Sequence, residues 1–203
     1  MAFSGAGAAG CAIARLMADY GFKKIYMVDS KGIVTADNAS NAEKKELAEK
    51  YNTDNKTGTL ADAMKGADIF IGVSKGGIVT EEMIASMNKD AIVMAMANPT
   101  PEILPDLAKK AGARVVGTGR SDFANQINNV LIFPALFRGA LDAKATRITE
   151  GMKMAASKAL ADLITEEDLK EDYVIVDALD KRVGPSVAKA VAAQAVKEGV
   201  IRG

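Results

Sequence analysis

Gly5, Gly7 and Gly10 stand in the order Gly-x-Gly-x-x-Gly, with Ala6, Ala8 and Ala9 between them, directly after the short apolar run Met1-Ala2-Phe3. In this pattern the first glycine permits a tight turn, the second lets a diphosphate approach the backbone, and the third lets helix and strand pack closely. A helix opening at such a loop offers unpaired N–H groups and a partial positive charge to phosphates. Alone, the pattern can equally be a tight turn with no ligand. Asp29 gives it context. It ends the next apolar run, Lys24-Ile25-Tyr26-Met27-Val28, about 20 residues after Gly10, the interval at which an acid meets ribose hydroxyls. Strand, loop, helix, strand and acid in that order favour a dinucleotide site over a bare turn. The Asp29 carboxylate would repel a 2′-phosphate and so favours NAD. Lys31, just beyond Ser30, could attract that phosphate and favour NADP, or could be a solvated turn lysine. The choice between NAD and NADP stays open.

Two further stretches sit where strands are expected to end, the place where ligands of open α/β sheets collect. One is Ala97-Asn98-Pro99-Thr100-Pro101-Glu102; the other runs from Gly117 through Arg120 and Asp122 to Asn125, Asn128 and Asn129. A carboxamide donates and accepts, which suits a nicotinamide or a hydroxy acid. The same asparagines could equally be a turn at Asn-Pro and a helix N-cap. Arg120 could pair bidentately with a carboxylate or phosphate, or simply bridge to Asp122. The internal methionines, such as Met27, Met94 and Met96, read as core filling. Cys11, in the first turn of the glycine-loop helix, reads as small-residue packing.

The elements that must position these residues alternate along the chain. Short apolar runs at 24–28, 68–73, 91–97 and 114–116 alternate with helical patterns at 41–51, 59–65, 81–87 and 101–111, as in a parallel sheet covered on both sides. Beyond Gly119 the pattern becomes helical. Residues 125–141 read as one long helix kinked at Pro134, 150–163 and 186–198 as two more, with Tyr173–Val176 a strand or extended segment. The expected fold is therefore α/β, a Rossmann-type, doubly wound, mainly parallel sheet with helices on both faces and a helical C-terminal extension. We expect one NAD(P)-binding domain over residues 1–203, with sheet core and cofactor loops to about 141 and the extension from about 142.

Composition narrows the chemistry. Lysine plus arginine and aspartate plus glutamate both number 26, so the net charge is zero, and no basic excess points to nucleic acid or an anionic membrane surface. The sequence has no histidine, which removes histidine-based triads and histidine-dependent hydride transfer. One cysteine makes no internal disulfide and no thiolate cage. With no long apolar run and no signal-like segment, a reducing, cytoplasmic setting is expected.

Several loops in one order carry a resemblance: Gly5-Ala6-Gly7-Ala8-Ala9-Gly10, Asp29-Ser30-Lys31-Gly32, Gly72-Val73-Ser74, Ala97-Asn98-Pro99-x-Pro101-Glu102, Gly119-Arg120-Ser121-Asp122-Phe123, Asn128-Asn129, Phe133-Pro134 and Arg138-Gly139-Ala140-Leu141. Together they resemble the C-terminal NAD(P)-binding half of the short, prokaryotic-type malic enzymes, over nearly the whole chain. The resemblance implies oxidative decarboxylation of malate to pyruvate and carbon dioxide, with hydride transfer to NAD or NADP. It implies that the residues from Gly5 to Gly10 hold the pyrophosphate and that Asp29, with Ser30 and Lys31, meets the adenosine ribose. Ser74 would lie along the cofactor, Asn98 beside nicotinamide and malate, Asn128 at the nicotinamide ribose or amide, and Asn129 at a malate carboxylate.

That family's catalytic tyrosine, lysine base and acidic ligands for Mg or Mn belong to sequence ahead of the glycine loop. By this resemblance the chain is expected to bind cofactor without catalysing the reaction alone, to lack a catalytic residue and a metal site of its own, and to need its missing catalytic half. Surface bared by that half would promote homo-oligomers. The competing expectation is a free-standing nucleotide-sensing module that regulates a partner protein.

Overall fold

A computed structural model describes residues 1–202. Six strands form one sheet in the order β3-β2-β1-β4-β5-β6. They are β1 (Ala2–Ser4), β2 (Tyr26–Asp29), β3 (Gly32–Ile33), β4 (Ile69–Gly72), β5 (Ile92–Ala95) and β6 (Val115–Thr118). All neighbours pair parallel except β2 and β3. Between the strands run α1 (Ala8–Tyr20), α2 (Ala42–Tyr51), α3 (Leu60–Met64), α4 (Glu81–Ala85) and α5 (Pro105–Lys110). This is a Rossmann-type, mainly parallel sheet, as expected from the sequence.

Alternation along each strand feeds two separate cores. Ala2, Tyr26, Val28, Phe70, Val93 and Ala95 pack with residues of α3, α4 and α5. Their chain neighbours Phe3, Met27, Ile71 and Met94 pack with residues of α1 and α2. The strands are therefore apolar on both sides because both sides are covered. Phe3 and Phe70, one on each face, are fully buried, each contributing about 1.5–3 kcal/mol of transfer free energy. Helix starts carry their own signals: Asn41 accepts from the Lys44 amide at α2, Thr59 and Asp62 form a reciprocal box at α3, and Thr80 accepts from the Met83 amide at α4.

Two compact units emerge, Met1–Ala124 with the sheet and a second beginning at Asn125. The second contains a 3₁₀ turn (Asn129–Leu131) and helices α6 (Phe133–Asp142), α7 (Glu150–Ala161) and α8 (Val183–Lys197). Its core joins Leu136, Met152, Ala156, Val187, Val191 and Ala195. Gly139 lets α6 lie against α8, since a Cβ there would sit 2.8 Å from the Val191 Cβ and overlap the Ala188 carbonyl oxygen.

Four elements depart from the sequence reading or narrow it. The stretch 125–141 is not one kinked helix: Pro134 lies in the first turn of α6, where its missing N–H costs nothing. Pro105 likewise opens α5, so the expected helix from Pro101 starts four residues later. Of the two alternatives for Tyr173–Val176 the strand is set aside, since the segment forms no ladder, only an isolated bridge from Lys170 to Tyr173. β3 carries no apolar run to announce it; its short hairpin depends on Gly32 at φ +116°, a region that strongly favours glycine.

Candidate functional site

Sheet order sets where a ligand can sit. β1 connects onward to β2 on one side and pairs with β4 on the other, so the topological switch lies between β1 and β4. A cleft of about 440 Å³ opens there, lined by Ser4, Gly5, Gly7, Asp29, Lys44 and Ser74 among others. Ala6 and Ser30 also line it.

The glycine loop has the shape its residues require. Gly5 lies at φ +111°, and a Cβ on it would come within 2.8 Å of the Val73 carbonyl oxygen. Gly10 is buried beneath the loop, where a Cβ would overlap the Gly5 carbonyl oxygen and stand 3.3 Å from the Met27 methyl. Gly7 is exposed and a Cβ on it would meet nothing within 4 Å. Space above Gly7 is open to a ligand while space around Gly5 and Gly10 is filled by protein. Gly7 caps α1 without a side-chain hydrogen bond, and no acid stands in the first turn. The first-turn amides, at Ala8 and Ala9, thus face an approaching anion with the helix dipole unopposed. These features fit a pyrophosphate.

Asp29 ends β2 at the cleft rim. Its Oδ1 accepts from the Lys31 amide at 2.9 Å and its Oδ2 from Lys44 Nζ at 2.7 Å. Burial pushes the Asp29 pKa up, but the Lys44 ammonium, the Lys31 amide and the nearby lysine charges outweigh it and hold the pKa below the ordinary value. The Lys31 side chain does not make this ion pair; it lines a neighbouring cleft of about 510 Å³ with Asn38, Thr57 and Thr59. Lys44 is the residue the sequence reading missed. It lies in the charged run Glu43–Lys50, which has the composition of a solvated helix face, and only the packing of α2 beside β2 turns it toward Asp29.

Ser74, beyond β4, shares a hydrogen bond of 2.6 Å with Ser4 at the end of β1. Asn98, beyond β5, is exposed, and its carboxamide closes on Gly119, where a Cβ would be 3.0 Å from Nδ2. Adjacent strands stand about 4.8 Å apart, so Asp29 on β2 and Asn98 after β5 are about 14 Å apart across the sheet. Arg120 forms the bridge rather than a free guanidinium: Nε and Nη2 donate to the two Asp122 carboxylate oxygens at 2.8 and 2.6 Å, with Phe123 beneath.

Asn125, Asn128 and Asn129 belong to the second unit. Asn125 is buried at φ +54°; its Nδ2 donates to the Glu171 carbonyl and its Oδ1 accepts from the Val174 amide, both at 2.9 Å. It is a structural clamp for the 171–174 segment. Asn128 caps the 3₁₀ turn by accepting from the Val130 amide at 3.0 Å, the N-cap alternative of the sequence reading. Its Nδ2 is not part of that cap, and Asn129 is exposed. Among the described residues, no group of three or more histidine, cysteine, aspartate or glutamate side chains could hold a metal ion, and no helix is long and apolar enough to cross a membrane.

Residues 1–196 match the family model "Malic enzyme, NAD binding domain". The chain is 56% identical over 201 residues to the bifunctional malic/malolactic enzyme of Bacillus subtilis, covering 98% of this chain and 49% of that protein. It is 46% identical over 200 residues to the NAD-dependent malic enzyme of Geobacillus stearothermophilus, covering 98% of this chain and 42% of that one. A crystal structure of malic enzyme from Pyrococcus horikoshii superposes with a TM-score of 0.92 at 43% identity, over 99% of this chain and 48% of that one. The chain thus spans about half the length of the relatives it matches.

Proposed function

The chain belongs to the malic enzyme NAD-binding domain family, and from that premise we propose that its crevice holds NAD or NADP for the oxidative decarboxylation of malate to pyruvate and carbon dioxide. The observation that carries this reading is the cradle at the β1/β4 switch. Gly7 leaves room over uncapped helix amides, and Asp29 stands at the rim for a ribose. In this reading the backbone from Gly5 to Gly10 binds the pyrophosphate, Asp29 accepts from the adenosine ribose hydroxyls, and Ser30 lies beside them. Ser74 flanks the cofactor and Asn98 orients its nicotinamide half, while the roles of Asn128 toward nicotinamide and of Asn129 toward malate rest on the sequence resemblance alone. When bound, NAD or NADP would supply the hydride acceptor. The base for the malate hydroxyl and the ligands of a divalent metal, which would polarise the carbonyl, are assigned to the further half of the longer relatives.

The test is direct. The chain alone is expected to bind NADH, read from nicotinamide fluorescence, and to form none from malate, NAD⁺ and Mn²⁺. Joined to the catalytic half of the Bacillus subtilis relative, it is expected to turn malate over. A joined protein that is folded, binds NADH and leaves malate untouched would remove the malate activity from the reading.

Lys44 sets the nucleotide preference in this proposal, in place of Lys31. Its ammonium neutralises Asp29, so the site can meet a 2′-phosphate that the carboxylate alone would repel. Lys44→Ala is expected to weaken NADP⁺ on the order of tenfold, the loss of one charge-assisted contact, and NAD⁺ by less than about threefold. Parallel titrations check this; an equal loss for both nucleotides would leave Lys44 with no part in selectivity.

The same reading includes self-association in the cytoplasm. Phe133, Phe137 and Leu141 form one stripe along α6 and are 64%, 43% and 72% exposed. Cys11 is a buried free thiol, as a reducing compartment permits.

A further inference from the structure

Glu102 is fully buried, although a glutamate is seldom buried without a structural partner for each oxygen. Its partners come from two different loops. Oε1 accepts from the Ser74 amide at 3.0 Å, and Oε2 accepts from the Ala97 amide at 3.0 Å. The backbone continues the connection: the Gly77 amide donates to the Pro101 carbonyl at 2.9 Å and the Val79 amide to the Glu102 carbonyl at 3.0 Å. Gly72 makes the space, since a Cβ on it would lie 2.6 Å from either carboxylate oxygen. The Ser74 hydroxyl in turn meets Ser4 at 2.6 Å. One side chain therefore fastens the loop after β4, which carries Ser74, to the loop after β5, which carries Asn98.

We infer that Glu102 is a positioning residue: by bridging the Ser74 and Ala97 amides it makes the two loops one rigid rim and fixes Asn98 against the nicotinamide half of the dinucleotide. The inference rests on the cofactor-site reading given above. Its physical basis is that both oxygens must be acceptors. Glutamine has the same shape but offers one acceptor and one donor, so one loop amide would face an N–H and lose its partner. The rim would then part, while the adenosine end at Asp29 and the glycine loop, held by other contacts, would keep its form.

The test compares NAD⁺ with AMP, which reaches only from Asp29 to the glycine loop, by NMR titration of the whole chain and of Glu102→Gln. The expected result is NAD⁺ weakened about tenfold, with AMP unchanged within about twofold. A parallel loss of NAD⁺ and AMP would show a general structural role and overturn the inference, as would unchanged affinity for both. Wild-type chain that binds neither nucleotide would overturn the cofactor-site reading and this inference with it. If Glu102→Gln fails to fold, amide exchange on the wild-type chain decides. The Ser74 and Ala97 amides are expected to exchange at a common slow rate and to slow together when NAD⁺ is added. Independent exchange of the two would overturn the inference.

Discussion

Gly10→Ala is expected to cost the chain its dinucleotide affinity and part of its stability together. The new methyl would overlap the Gly5 carbonyl oxygen and stand 3.3 Å from the Met27 methyl. Helix α1 would have to withdraw from the turn after β1. Overpacking of this kind costs about 1–3 kcal/mol, a fall in Tm of about 2–12 °C for a chain this size. Displacing the helix amides removes at least one or two charge-assisted hydrogen bonds, so NAD⁺ affinity should fall on the order of 100-fold. Gly7→Ala separates the two effects. Its methyl meets nothing in the protein, so Tm should hold while the methyl occupies the space needed by the pyrophosphate and NAD⁺ binding is lost. Calorimetric titration and thermal unfolding of both variants check this. Unimpaired NAD⁺ binding by Gly7→Ala would mean that the phosphates do not pass over the loop.

The second large effect is expected at Asp29. Asp29→Ala should weaken NAD⁺ about 10- to 100-fold, the loss of one or two hydrogen bonds from ribose hydroxyls to a charged acceptor. The pH dependence has a defined sign. The Asp29 pKa is depressed in the folded chain, so the Asp29–Lys44 pair contributes stability that is fully present above the ordinary aspartate pKa. That contribution is lost as pH falls through the depressed value. The ribose contact follows the same course, because only the carboxylate accepts from both hydroxyls. NAD⁺ affinity should therefore stay level on acidification through the ordinary carboxylate range and drop only below it, and Asp29→Ala should abolish that acidic drop. Titrations in a pH series on the two proteins measure it; a decline beginning near neutrality would exclude Asp29 as the titrating group.

Features written in consecutive residues were legible without a structure. Gly5 to Gly10, the apolar runs of β2, β4 and β5, and Asp29 at its interval from the loop depend on local geometry, and the structure places them as the sequence reads. Features made by packing were hidden. Lys44 belongs to a run of charges on α2 and acquires a role only because α2 lies beside the end of β2. Glu102 reads as one more residue of an Asn-Pro loop, yet its side chain turns inward to bond two amides 28 and 5 residues away in sequence. Pro134 shows how one residue type serves two meanings, a kink inside a helix or the first turn of a new one. Choosing between them requires knowing that Asn128 caps a separate turn just before it. Asn125, grouped by sequence with the other asparagines, spends both ends of its carboxamide on the 171–174 backbone.

Whether the glycine cradle and Asp29 together hold a nicotinamide dinucleotide is decided by calorimetric titration of the chain with NAD⁺, with Asp29→Ala in parallel. Saturable binding at one site per chain is expected, weakened about 10- to 100-fold by the substitution. No heat of binding from the folded chain, or binding indifferent to Asp29, would contradict it.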